Sequence, residues 1–285
     1  MTSARDNFLA LTLVASGVLL AFWPVITGLI DAWSTDDNYS HGFFIVPLAA
    51  YFAWERRAQF EHAEVRPSVT GLAVVALSMV LLVAGMLGAE YFLSRVALIG
   101  TIVGAVLFLG GWARLRVLLF PLAFLLLMVP LPALIFNKIA FPLQLLASHV
   151  GEYSISAMDI PILREGNVLI LANATLEVAE ACSGIRSLVS LFTLGLVFGY
   201  FADRRLWVRS VIALSAIPVA ILANGLRVAS AGVAAHNYGT EGVEGVFHDV
   251  SGWVVFVIAF LMMLAIQRLL LHFAPPRMAP RTSPA

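Results

Sequence analysis

The sequence predicts an all-α polytopic membrane protein of about eight transmembrane helices, and three observations predict it. Hydrophobic residues make up 61% of the chain against 12% charged, with a mean hydropathy of +0.94; a soluble domain is roughly 45–50% apolar. Apolar runs recur from Phe8 to Phe273 at lengths near the roughly 20 residues that cross a bilayer core. The arginines collect in alternate loops between those runs, as cytoplasmic loops do. Residues 1–273 read as one integral membrane domain, and residues 274–285, proline-rich and basic, as a disordered cytoplasmic tail.

Phe8 to Ile30 is the first span. It exceeds the roughly 7–15 apolar residues of a secretory signal and is followed by no Ala-x-Ala site, so it reads as an anchor. Gly42 to Trp54 is short, with Tyr39 and Trp54 placed to sit at the two interfaces. Val69 to Gly88 and Phe92 to Gly111 form an antiparallel pair joined by Ala89, Glu90 and Tyr91. The stretch Val117 to Val150 is broken by Pro121, Pro130, Pro132 and Pro142, and proline kinks or ends a helix. It therefore divides into a span at Val117 to Ile135 and an interfacial amphipathic helix at Phe136 to Val150.

Within Gly151 to Ala181, two β-prone stretches, Asn167 to Leu171 and Thr175 to Glu180, flank Ala172-Asn173-Ala174 and predict a small extracytoplasmic β-hairpin before the sixth span. Spans follow at Ser183 to Phe201, Trp207 to Ala229 and His248 to His272. Arg56, Arg57, Arg66, Arg114, Arg116, Arg204, Arg205 and Arg209 then share one side with Arg268, Arg277 and Arg281. Both termini are expected in the cytoplasm. Cys182, the hairpin and the loop from Ala231 to Phe247 are expected outside, in a multi-pass protein of a bacterial inner membrane.

Lys plus Arg and Asp plus Glu are 17 each, which offers nucleic acid no basic patch. The one cysteine excludes an intramolecular disulfide. No phosphate loop, dinucleotide fingerprint or cluster of metal ligands is present, so no cofactor or metal is expected. Gly100 with Gly104 and Gly195 with Gly199 have the spacing of close helix packing.

Chemistry gathers at the outer boundary. Cys182 stands where the polar segment becomes the sixth span, Arg227 ends the seventh and His248 opens the eighth. A helix N-terminus and a nearby cation, here Arg186, raise the thiolate fraction of a cysteine. Histidine can protonate a leaving amine and then activate an acceptor, and arginine can hold an oxyanion or a carboxylate. Each residue has a plainer reading alone: a small buried hydrophobe, a snorkelling cation, an interfacial cap. Asn224 lies three residues before Arg227 on the same face, and polar groups at a span end often mark a site. His41, in Tyr39-Ser40-His41-Gly42, either shapes substrate access or is an ordinary interfacial residue.

With Glu180-Ala181-Cys182-Ser183-Gly184-Ile185-Arg186-Ser187, Asn224-Gly225-Leu226-Arg227, His248 and Tyr39-Ser40-His41-Gly42 in view, the chain resembles the exosortase/archaeosortase family of membrane transpeptidases over nearly its whole length. The resemblance implies a cysteine transpeptidase that cleaves a C-terminal sorting signal of exported proteins, made of a short Pro-Glu-Pro-type motif, a transmembrane helix and a basic tail. It implies Cys182, Arg227 and His248 as catalytic residues, with Arg186, Asn224, Glu180 and His41 in support, and an acceptor whose identity it does not give, a lipid or glycan component being one candidate.

Two rival readings stand beside it. A non-enzymatic component of exopolysaccharide export would use the same outer residues to bind glycan, and would not need Cys182. A transporter would place ionisable groups near mid-span, where this chain has few.

Overall fold

The computed structural model describes Thr12 and residues 16–178, 184–239 and 246–275, with the backbone alone for 246–249. The chain is mainly helical and falls into two compact units, residues 1–132 and 133–285. Among the described residues six helices are long and apolar enough to cross a membrane. Part of the expected first span and residues 276–285 of the expected tail lie outside the described residues.

In the first unit, helical residues 16–21 turn at Phe22 into α1 (Trp23–Thr35). α2 (Gly42–Glu55) is an apolar helix of 14 residues, below the usual length of a span. α3 (Arg57–His62) is short, and α4 (Val69–Leu87) matches the predicted third span. α5 (Tyr91–Phe124) continues through a 3-10 turn at Leu125–Met128 and is bent at Gly111, whose φ is 81°. Only glycine adopts such a φ readily, and the carbonyl of Arg66 fills the space a Cβ would need. This bend is the predicted boundary between the fourth and fifth spans, although the element after it stops at Met128 and not at Ile135.

Small residues bring α4 and α5 together. A Cβ on Gly104 would stand 2.7 Å from Val75 and 2.9 Å from the Gly71 carbonyl oxygen, and one on Gly71 would strike the Phe108 backbone. The expected packing role of Gly104 is thus visible.

The second unit opens with α6 (Ala133–Ser156), which absorbs the predicted interfacial helix Phe136 to Val150. The break falls at Pro130 and Pro132, whereas Pro142 is accommodated inside the helix. Its 24 residues put α6 among the six candidate spans. Gln144 and Ser148 are buried, so its polar positions turn inward. A three-stranded antiparallel sheet follows, β1 (Ile162–Glu165), β2 (Val168–Leu171) and β3 (Thr175–Glu177), in the order β1-β2-β3. β2 and β3 are the predicted hairpin; β1 is an additional strand that pairs Ile162 with Leu171 and Glu165 with Val168. Leu169 and Leu171 face a core with Ala147, Ile155, Val228 and Ala229.

α7 (Ile185–Ala202), α8 (Leu206–Tyr238) and α9 (Val246–Phe273) complete the unit. α8 is central, and its alanines 213, 216, 220 and 223 are buried. Gly195 and Gly199 of α7 lie against the backbone of Ala213 and Arg209. The predicted loop from Ala231 is helical as far as Tyr238. Alanine-rich sequence favours helix there, Ile155 occupies the place of a Gly232 Cβ, and Gly239 at φ 76° ends the helix. At the far end the Asp203 carboxylate accepts hydrogen bonds from the Arg205 guanidinium and backbone, which hold its pKa below the ordinary 3.8. Arg205 also donates to the Ala274 carbonyl oxygen at 2.5 Å, tying the α7–α8 turn to the end of α9.

Candidate active site

Cys182 and Glu180 lie outside the described residues, as does the side chain of His248. The structure does define what flanks them. Val178, 3% exposed, ends the sheet with its N–H donating to the Asn167 carbonyl oxygen at 2.9 Å. Gly184 begins α7 as its N-cap, at φ 76° and ψ 1°.

Gly184 sits directly on α8. A Cβ at this position would stand 2.8 Å from Cγ of Asn224 and 2.9 Å from its Cβ. Asn224 is 4% exposed, and a buried amide is retained where its hydrogen bonds are met. Beneath the pair a small cavity is lined by Leu143, Ala147, Leu188, Ala220 and Ile221. The residue after the Cys-Ser pair and the Asn of the Asn-x-x-Arg motif are therefore in contact.

Arg227 is partly exposed, one turn beyond Asn224 on α8. Its Nη2 lies 3.5 Å from where a Cβ on Gly252 would be. Gly252 follows His248 by one turn in α9, and residues four apart in a helix share a face. The guanidinium thus reaches the turn of α9 that carries His248. Arg186 is exposed in the first turn of α7.

The sheet holds its place against α6 and α8. The Arg164 guanidinium donates to the Glu152 carboxylate at 2.7 Å, and the Asn173 amide donates to the His236 carbonyl oxygen at 2.7 Å. Asn173, in the turn between β2 and β3, therefore fastens the hairpin to the extension of α8. Sequence reasoning missed that role, which depends on a helix reaching past Ala231.

His41 belongs to the first unit and acts there as a tether. Its Nε2–H donates to the Leu127 carbonyl oxygen at 3.1 Å, while Nδ1 is buried without a hydrogen-bond partner. Tyr39 accepts from the Leu131 N–H at 3.2 Å, and Trp33 donates to the Met128 carbonyl oxygen at 2.9 Å. Three side chains from 33–41 thus bind one stretch of backbone at 127–131. Burial lowers the His41 pKa below its ordinary 6.5, against the opposing pull of the Leu127 and Asn38 backbone. The indole of Trp33 also fills the place of a Gly42 Cβ, which explains the glycine of Tyr-Ser-His-Gly.

Among the described residues no group of three or more His, Cys, Asp and Glu could hold a metal ion. The family described as transmembrane exosortase matches residues 33–265 of the chain. No curated protein and no solved structure matches it.

Proposed function

Because the chain belongs to the transmembrane exosortase family, we propose that it is a membrane-embedded cysteine transpeptidase. It cleaves the C-terminal sorting signal of exported proteins and passes them to a lipid or glycan acceptor. The observation that carries this reading is the position of Asn224 and Arg227 on α8, one against Gly184 and the other against Gly252. Two peptide units separate Cys182 from Gly184, a reach of at most about 7 Å. The pattern of arginines supports cytoplasmic termini and a site at the extracytoplasmic face of the inner membrane.

In this mechanism the Cys182 thiolate attacks the carbonyl carbon of the scissile peptide. Arg227 donates hydrogen bonds to the oxyanion, an interaction strongest in the transition state. The C–N bond breaks as His248 gives its proton to the leaving amine, and a thioester to Cys182 remains. His248 then takes a proton from the acceptor nucleophile, which attacks the thioester; the C–S bond breaks, the acyl group leaves on the acceptor, and the Cys182 thiolate and protonated His248 are restored. A substrate held by its own membrane helix arrives with depth and direction fixed, which is much of what proximity catalysis requires.

The test follows a tagged protein bearing a Pro-Glu-Pro-type motif, helix and basic tail, by immunoblot, in cells carrying wild type, Cys182→Ala or Cys182→Ser. Loss of the processed form with the variants present at wild-type level is the expected result. Unchanged processing in both variants would reject the thiol mechanism and favour a non-enzymatic role in exopolysaccharide export.

A further inference from the structure

The first unit contains a cavity of about 680 Å³ remote in sequence from the candidate active site. Its walls come from Val18, Leu19, Phe60, Ile102 and Leu109, with Arg114 also lining it. Leu19 and Leu109 are 55% and 48% exposed, so the apolar wall is continuous with the surface that faces lipid in a membrane helix.

Arg114 is an unusual wall for such a space. Its guanidinium lies over the Phe60 ring, 4.7 Å from the centroid, and its stem is packed on Gly110. No carboxylate lines the cavity. Neighbouring arginines are provided for: Arg56 donates to the Val117 carbonyl oxygen, and Arg66 pairs with Glu64. An apolar chamber with an arginine in its wall and no carboxylate beside it suits a molecule with an apolar chain and an anionic head.

We propose that this cavity binds an anionic phospholipid, with an acyl chain along Ile102 and Leu109 and the phosphodiester at the Arg114 guanidinium. Basic pockets between membrane helices recognise anionic headgroups in this way, and charge-assisted bonds from arginine to phosphate are among the strongest available. A second membrane helix is the poorer occupant. Its carbonyls are already bonded within the helix, so it brings Arg114 no acceptor. A zwitterionic lipid brings an ammonium group as well, toward a wall whose one charged group is cationic.

The full chain is purified from nanodiscs containing phosphatidylglycerol and phosphatidylcholine in equal amounts with identical acyl chains, and retained lipid is identified by native mass spectrometry. Wild type is expected to retain one phosphatidylglycerol. Arg114→Gln should lower the retained glycerol-to-choline ratio about tenfold, the loss of one charged hydrogen bond at 1.4 kcal/mol per decade, and Arg114→Lys should keep the preference in part. Ala105→Phe, which fills the chamber from its wall, should lose both lipids while its melting temperature stays near wild type. Equal retention of the two lipids by wild type, or an unchanged ratio in Arg114→Gln, would overturn the proposal. So would displacement of lipid from wild type and Arg114→Gln alike by a 20-residue polyleucine-alanine peptide. None of these readouts involves Cys182, so they stand or fall apart from the cleavage assay.

Discussion

Gly184 lies so close to Asn224 that a Cβ on the glycine would stand 2.8 Å from the amide carbon. The glycine is also left-handed, at φ 76°, a conformation that costs an L-residue about 1–2 kcal/mol. Gly184→Ala therefore shifts either the entry to α7 or the amide of Asn224. Signal processing should fall more than tenfold while the protein level holds, as read by immunoblot of substrate and enzyme together. Wild-type processing by Gly184→Ala would separate this contact from function.

The neighbour of Arg227 gives a graded test. A Cβ on Gly252 would meet Nη2 at 3.5 Å, an ordinary contact, so Gly252→Ala should process substrate at close to the wild-type rate. Gly252→Leu needs the space the guanidinium holds and should reduce processing about as far as Arg227→Gln does. Equal activity of the Ala and Leu variants would remove the arginine's position beside α9 from the mechanism.

His41 predicts a pH dependence of stability. Its pKa is lowered in the fold, chiefly by burial, so the unfolded chain takes up the proton first as pH falls. Its contribution is complete above the ordinary 6.5 and is lost as pH drops from there through the lower folded value. The melting temperature in detergent should decline across that window. His41→Gln, which can still donate to Leu127 but cannot charge, should flatten the decline; an identical decline in the variant would assign it to other groups.

Orientation can be read with the chain's own scarcity of thiols. In a Cys182→Ala background, Asn173→Cys is expected to react with a membrane-impermeant maleimide added to spheroplasts, and Arg204→Cys only after lysis. The reverse pattern would place the α7–α8 turn outside and make α6 a crossing helix, against the arrangement that the arginines imply.

The helices were legible because hydropathy dominates a membrane chain, and the motif residues because a single cysteine stands at a polar-to-apolar boundary. What escaped depended on tertiary contact. In Ala231–Tyr238 the alanines favour helix while Gly232 and Asn237 weaken it, and Ile155 packs on Gly232 in the helix that forms. Pro142 reads as a breaker, yet α6 runs through it with Gln144 and Ser148 buried. β1 is four residues long and lies between Pro161 and Gly166; it pairs with the edge that Leu171 and Val168 offer it. At the site, Asn224 and Arg227 could be read as sharing one face at a span end, and their contacts with Gly184 and Gly252 required the fold.

The length of α8 has a consequence for where the chemistry can happen. At 1.5 Å per residue its 33 residues extend about 50 Å, against a hydrocarbon core of about 30 Å. Arg227 lies about 32 Å along that axis from Leu206, and the remaining turns, with His236, carry the sheet through Asn173. One continuous helix, with Pro218 inside it, thus acts as a ruler. It is anchored at the Asp203–Arg205 turn, marks one bilayer thickness at Arg227, and holds the sheet above that mark. A scissile bond would be selected by its height above the membrane as much as by the residues around it.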